Sequence, residues 1–328
     1  MNNSIQLKLF SLMNHAIEWQ LILAALKSNV FDSLADWNNA EAIAAHQGWN
    51  SAQTQLFLDA LVASEVLDKQ QDQYKVKHEL SLFLRLSSAQ SMRDTLMHLS
   101  HLRFASAEQI LELLAGQIDQ QVNLTSNTFW QQAVSNLRSF HQCGASESYL
   151  ELLSRLPSWR STRSMLEIGA GSDILANLAV NQCPALQYHI FDLPQVIEQI
   201  SPKYSSNDGQ IFFHSGDYNQ VSIPIGFDLI FASMSLYYVQ DPTRFYQSIH
   251  RALNHSGVFV SLHEGLNQAR TQPYQHVVGR IVPALKGNDV SFCHGEISQY
   301  LIHAGFTQIS SEVVPSIAGP LELIVATK

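Results

Sequence analysis

The stretch Met165-Leu166-Glu167-Ile168-Gly169-Ala170-Gly171-Ser172-Asp173 constrains this chain more than any other. A strand-like apolar run enters a turn with glycine at 169 and 171, and helical spacing resumes near Ile174. Glycine at both positions lets the backbone turn sharply and approach a ligand closely. The free amides of a helix start favour an anionic group. Asp192 stands 21 residues beyond Gly171, in Phe191-Asp192-Leu193-Pro194, just after the next expected strand. A carboxylate there can accept hydrogen bonds from both ribose hydroxyls of a nucleoside. The bland alternative is a tight turn, a helix cap and a loop carboxylate, but the combination is far more specific than a lone glycine pair.

Two nucleoside cofactors compete for such a turn. The dinucleotide fingerprint places a third glycine three residues after the second. Ile174 occupies that position here. Glu167, two residues before the first glycine, is placed to reach the ammonium of a methionine moiety. S-adenosyl-L-methionine (SAM) is the better fit.

From Ser164 onward, strands and helices alternate. The expected strands are Met165–Ile168, Tyr188–Phe191, Ile211–His214, Leu229–Ala232, Val258–Leu262, Thr307–Val313 and Leu323–Ala326, with helices such as Pro242–Leu253 and Glu296–His303 among them. Short apolar strands separated by helices predict an α/β fold, a mostly parallel doubly wound sheet covered on both faces, with ligands outside the strands' carboxyl ends. The connection Pro315–Pro320 is too short for a helical crossover, so the last two strands are expected to run antiparallel. Earlier, helices are expected around Ile17, Leu21, Ala24 and Ala25 and around Leu58, Leu61 and Val62, the latter capped by Asn50 or Ser51. A hairpin is expected from Val66-Leu67-Asp68 to Tyr74-Lys75-Val76. Helices followed by a small hairpin predict a winged-helix-like module. Residues from about 90 to 160 read as helical, with a stripe at Met97, His101, Phe104 and Ile110. The expected division is a winged-helix-like dimerisation domain over 1–90, a helical linker contributing to a substrate pocket over 91–160, and a catalytic domain over 161–328.

The net charge of −9 argues against a nucleic-acid footprint, so the N-terminal module is expected to be a packing platform. Cys143, Cys183 and Cys293 are odd in number, far apart and form no CxxC pair, which predicts neither a disulfide framework nor a zinc site. No metal is expected. The chain shows no signal-peptide pattern. Ile17–Leu26 is interrupted by Glu18 and Gln20, too short to span a bilayer, and reads as a buried helix. A cytoplasmic protein with no membrane association is the expectation.

With these motifs in place, the chain resembles the dimeric SAM-dependent small-molecule O-methyltransferases of the caffeate, acetylserotonin and polyketide-tailoring type, which have the class I methyltransferase fold. The resemblance rests on Leu166–Gly171, Phe191-Asp192-Leu193-Pro194-Gln195-Val196-Ile197, Gly216-Asp217-Tyr218, Phe227-Asp228-Leu229-Ile230 and Ala304-Gly305-Phe306. It implies that Asp192 holds the ribose and that Asp217 and Tyr218 lie beside the adenine. Gly169 and Gly171 would line the methionine end, and the N-terminal domains of two subunits would intertwine. Glu167, Leu193 and Ser233 complete the expected cofactor set.

Three positions depart from the pattern. Asp173 stands where the family usually has a third glycine; it is expected to cap the following helix, or alternatively to touch the amino-acid end of SAM. Tyr237 falls where the family has its general-base histidine, and an unperturbed tyrosine is a poor base at neutral pH. Ser291-Phe292-Cys293 occupies the place of the family's supporting glutamate. A base is needed only for a weakly acidic acceptor, so an acceptor that is already nucleophilic remains open. His263, before Glu264 at a strand's carboxyl end, is the most suggestive replacement base. His141, His276 and Arg280 are further candidates for holding substrate; His276 and Arg280 are four apart and would share a helix face. Three readings compete: methyl transfer to a small molecule, a SAM-binding enzyme diverted to cyclisation or a pericyclic step, and a non-catalytic dimeric regulator.

Overall fold

The computed structural model describes residues 4–117, 127–201 and 209–328. The chain forms two compact units that divide between Ser100 and His101.

The first unit contains α1 (Ile5–Ser28), α2 (Val30–Ser33), β1 (Asn38–Asn39), α3 (Ala40–Gln47), α4 (Ser51–Ala63), β2 (Leu67–Gln70), β3 (Gln73–Val76) and α5 (His78–Leu84); α6 (Arg93–Arg103) contains the division point. Local chemistry sets the boundaries. Asn39 Oδ1 accepts from the Ala42 amide and Asn50 Oδ1 from the Gln53 amide, capping α3 and α4. Antiparallel β2 and β3 form the expected hairpin, and β1 adds a third strand against β3. Leu26, Phe31, Leu58, Leu61, Leu67 and Tyr74 fill the core between helices and hairpin.

α1 departs from expectation. It has 24 residues and begins at Ile5, so it is long and apolar enough to cross a membrane by length and composition alone. It is not a buried helix within this unit, where only Leu23, Ala25 and Leu26 are buried along it. Ile5, Leu7, Leu9, Phe10, Leu12, Met13 and Ile17 are exposed. The charged and polar residues that seemed to break the apolar run share the helix with these side chains.

The second unit continues with α7 (Ala107–Leu114), α8 (Asn127–Phe140), a π-helical turn at His141–Ala145, and α9 (Ser146–Ser154). The expected stripe near residue 104 does not form, because α6 ends at Arg103 and Phe104 is exposed. Alternation then begins: β4 (Ser164–Ile168), α10 (Ile174–Gln182), β5 (Gln187–Asp192), α11 (Pro194–Ile200), β6 (Ile211–Ser215), β7 (Phe227–Ser233), α12 (Pro242–Ala252), β8 (Leu253–His263), β9 (Gly265–Leu266), α13 (Tyr274–Leu285), β10 (Phe292–Cys293), α14 (Glu296–His303), β11 (Gln308–Val314) and β12 (Leu321–Thr327). Proline at the first turn of α11 and α12 fixes both starts, where a missing amide costs nothing.

All seven expected strands form one sheet of order β11-β12-β8-β7-β4-β5-β6, with β12 antiparallel to both β8 and β11. Strands β4 to β8 run parallel. Their side chains alternate between two cores. Met165, Tyr188, Ile190, Leu229, Phe231 and Val260 pack under α9, α10 and α11. Leu166, Ile168, Phe191, Ile230 and Phe259 pack under α12 and α14. This is the doubly wound fold of the class I methyltransferases. The chain leaves β4 first toward β5 and β6, then returns to build β7 and β8 on the other side. A crevice therefore opens between the carboxyl ends of β4 and β7, the switch point where such sheets bind ligands.

Candidate active site

Four strand ends supply the crevice. At the end of β4, Gly169 and Gly171 have φ of 68° and 63°. These left-handed conformations suit glycine, and space enforces the choice. A Cβ on Gly169 would collide with the Ser235 side chain, and one on Gly171 would stand 2.6 Å from Leu137 Cδ1. At the end of β5, Asp192 Oδ2 accepts the Gly171 amide at 2.9 Å and Oδ1 accepts the Leu193 amide at 2.7 Å. The carboxylate thus ties the glycine turn to the neighbouring strand. Burial raises its pKa to about 6, against the lowering effect of the two amides. Glu167 is buried one strand over and accepts from Tyr188 Oη at 2.6 Å. Burial pushes its carboxyl up to about 8; the Tyr188 hydroxyl opposes the rise and Asp192 adds to it. After β6, Asp217 Oδ1 accepts the Asn219 amide, and Tyr218 Oη donates to Ser235 O at 2.9 Å. Ser235 Oγ in turn donates to Ile168 O at 2.7 Å, so the loop after β7 is fastened to the first strand. Ser233 closes β7 beside this loop.

The C-terminal end of α8 meets the same glycine turn. His141 Nδ1 lies 2.6 Å from Ser172 Oγ, and Arg138 forms an ion pair with Asp173. Burial lowers the His141 pKa to about 4, so this ring is neutral at physiological pH. Asp173 sits at the N-cap position of α10, yet its side chain accepts no helix amide. The capping role expected of it is not what the structure shows. Its side chain turns instead to Arg138 and to Asn177 Nδ2, at 3.2 Å.

Beyond β7 and β8 lies a second, mostly buried polar cluster. His263 Nε2 accepts the Ser235 and Leu236 amides at 3.2 and 3.1 Å. The proton therefore sits on Nδ1, 2.9 Å from Ser261 Oγ. Burial depresses the pKa of this ring to about 3. His263 therefore has no free nitrogen for an acceptor proton, which corrects its candidacy as a replacement base. It is a neutral brace under the loop after β7.

Tyr237 stacks on Phe292 with ring centroids 5.5 Å apart, and the Arg280 guanidinium lies 4.6 Å from its ring centroid on the face. Its hydroxyl points to Glu264 Oε2 at 3.5 Å. Burial, then the Glu264 charge, drive this phenol far above its ordinary range despite the opposing guanidinium. It is a hydrogen-bond donor and not a base. Glu264 is ion-paired with Arg280, and its Oε1 lies 3.4 Å from His276 Nδ1. Burial raises the Glu264 carboxyl, but His276 and Arg280 outweigh that and leave it below the ordinary glutamate range. His276 Nε2 donates to Pro320 O. The expected common face of His276 and Arg280 on α13 is thus directed at one carboxylate. Arg103 is coupled electrostatically to Glu264 and Arg280, and a Cβ on Gly279 would stand 3.3 Å from its Nη1. Arg280 Nε is buried with no hydrogen-bond partner among the described residues.

Residues 124–307, more than half of the chain, match the O-methyltransferase domain family. The chain belongs to this family. The family is SAM-dependent. The fold is shared with human N-acetylserotonin methyltransferase, a structure in complex with SAM, at a TM-score of 0.80 and 19% identity, covering 100% of this chain and 99% of that one. It is shared equally with PigF, a structure with S-adenosylhomocysteine (SAH), at a TM-score of 0.77 and 21% identity, covering 99% and 100%. A curated relative, uncharacterized protein MJ0086 of Methanocaldococcus jannaschii, is 20% identical over 263 residues, 78% of this chain and 69% of the relative.

Asp192, Glu167, the glycine turn and the start of α10 stand together at the carboxyl ends of β4 and β5. Sequence reasoning missed Arg138, Ser172, Tyr188 and Ser235. Among the described residues there is no cluster of three or more metal-ligating side chains.

The buried carboxyls set a testable pH dependence. Glu167 holds its proton more tightly in the fold, at about 8, than in the unfolded chain, so it costs stability as pH rises toward that value. Asp192 has largely finished titrating by then, and the histidines that burial holds neutral, His141, His189, His214, His250 and His263, are neutral in both states only above about pH 7.5. Ligand-free protein is therefore expected to lose thermal stability as pH rises from about 7.5 through 8. Glu167→Gln should flatten that slope; parallel melting curves for both proteins would refute the assignment.

Proposed function

We propose that this chain binds SAM in the β4–β7 crevice and transfers its methyl group to an acidic oxygen of a small molecule. Asp192, locked to the glycine turn, is the observation that supports the cofactor site. Asp192 would take the ribose, Glu167 the ammonium, and Asp217, Tyr218 and Leu193 the adenine side. SAM supplies a methyl group already activated by a sulfonium, so positioning accounts for much of the rate.

The acceptor class follows from the second cluster. None of the side chains in direct contact with Tyr237, namely His263, Glu264, Arg280 and Phe292, is a free base. Tyr237 is too weakly acidic to have ionised, His263 is spent on two amides, and Glu264 is paired. An acceptor oxygen must then arrive ionised, as a carboxylate or an acidic phenol does near neutral pH. Arg280, Arg103 and His276 gather around one carboxylate, so the cluster carries more positive than negative groups and suits an anion. Tyr237 would hold Arg280 in place by stacking and by its bond to Glu264. His141, bonded to the glycine turn, would wall the crevice on the cofactor side. The lack of a free base also favours a second reading, in which bound SAM assists a non-methylating cyclisation or pericyclic step.

For the first unit we propose that a second copy of the chain covers α1. A contiguous apolar face of this kind marks a partner surface. Ile5, Phe10, Met13 and Ile17 are 80, 64, 62 and 59% exposed. The winged-helix-like module would then be a dimerisation platform of a cytoplasmic enzyme.

Calorimetry should show SAM and SAH binding, with Asp192→Ala losing roughly 1.5–3 kcal/mol for each charge-assisted ribose bond; a wild-type chain that binds neither would sink the cofactor assignment. Methyl-labelled SAM, offered with a panel of acidic phenols and carboxylic acids, should label an acceptor at a rate that rises through the acceptor's own pKa. Consumption of an acceptor without label would select the second reading. Arg280→Gln should raise the acceptor KM about tenfold and leave SAM binding unchanged, and Tyr237→Phe should lower kcat/KM in the same way. Sedimentation should give a dimer that Phe10→Asp with Met13→Asp splits. A wild-type monomer, or flotation with lipid vesicles, would refute that arrangement.

A further inference from the structure

The turn that is to receive the methionine end of SAM contains a buried carboxylate of its own. Asp173 is fully buried, two residues after Gly171, at the entrance of α10. SAM carries an α-carboxylate that seeks the amides of the glycine turn and helix start. Asp173 takes none of those amides, but two carboxylates held close together in a poorly solvated site repel each other. Desolvated charge of this kind persists only when paired.

Arg138 is the only ion-pair partner of Asp173 among the described residues. It arrives from the last turn of α8, 35 residues earlier, and its neighbours bind the same turn: Leu137 packs on Gly171 and His141 on Ser172. The C-terminal end of α8 therefore touches residues 171, 172 and 173 in succession. The Arg138 side chain is 26% exposed and that of Asp173 0%, so the pair runs from a sealed carboxylate to a side chain that keeps some access to solvent.

We propose that Arg138 is a positioning residue for the amino-acid end of SAM. By neutralising Asp173 it lets a ligand carboxylate approach the glycine turn, and it does so where the family pattern has an uncharged glycine. The proposal rests on the reading above that the crevice binds SAM.

The test compares two ligands that share a nucleoside and a thioether. SAH carries the amino-acid group; 5′-methylthioadenosine lacks it. Dissociation constants by calorimetry on Arg138→Gln should rise about tenfold or more for SAH and stay within about twofold for methylthioadenosine. Arg138→Lys should restore most of the loss. Arg138→Gln combined with Asp173→Asn should recover SAH binding to within about threefold of wild type, because the unpaired charge is gone. Equal weakening of both ligands would show a merely structural role and overturn the proposal, as would a double variant that does not recover. Asp173→Asn alone covers the case in which Arg138→Gln does not fold. It should keep SAH binding within about twofold, whereas a selective loss of SAH would mean that Asp173 itself contacts the ligand's ammonium, also overturning the proposal. A wild-type chain that binds methylthioadenosine and SAH equally well refutes the charge argument; one that binds neither refutes the SAM reading beneath it.

Discussion

The Asp192 carboxylate is the constraint on which the site depends. It accepts one amide from the turn after β4 and one from its own neighbour, so two strand ends and a loop share a single buried anion. The glycine turn keeps its left-handed conformation because both glycines are crowded by side chains from other segments, Ser235 and Leu137. The Ser235 loop is in turn fixed by Ile168, Tyr218 and His263. The crevice is thus a closed set of mutual restraints in which each strand end orients the next.

Burial governs the chemistry within that set. It leaves Glu167 and Asp192 harder to ionise, and His141 and His263 harder to protonate. The result is a crevice in which Glu167 keeps its proton to about pH 8 while Asp192 ionises at about 6, with a second, paired charge cluster around Glu264. In low dielectric a cation at the sulfonium position interacts strongly with carboxyls that can still give up a proton. The same burial keeps the Tyr237 hydroxyl protonated and the His263 ring neutral.

The sequence made the sheet legible because its signals are local. Period-two apolar runs, short connections and glycine at a strand end locate β4 to β8 and the short link between β11 and β12. Asp192 was legible for the same reason, since its distance from Gly171 follows from one helix and one strand. Long-range pairings were not. Nothing near Asp173 announces Arg138, so a helix cap was the natural reading of an acid before a helix. His263 looked like a free base because its residue type and strand position carry no trace of the two amides that a distant loop presents to it. α1 was misjudged because Glu18 and Gln20 interrupt the apolar run in the linear sequence, while on the helix Ile5 to Ile17 still form a largely uncovered apolar surface.

The brace at His263 also limits how this site can change. A histidine installed at position 237 would lie against the same Phe292, with its ring near the Arg280 guanidinium and close to a second imidazole that is already committed to the backbone. That cationic neighbour makes a new imidazole harder to protonate. A working proton acceptor at that position would therefore need changes at Arg280 and Phe292 as well as at 237 itself.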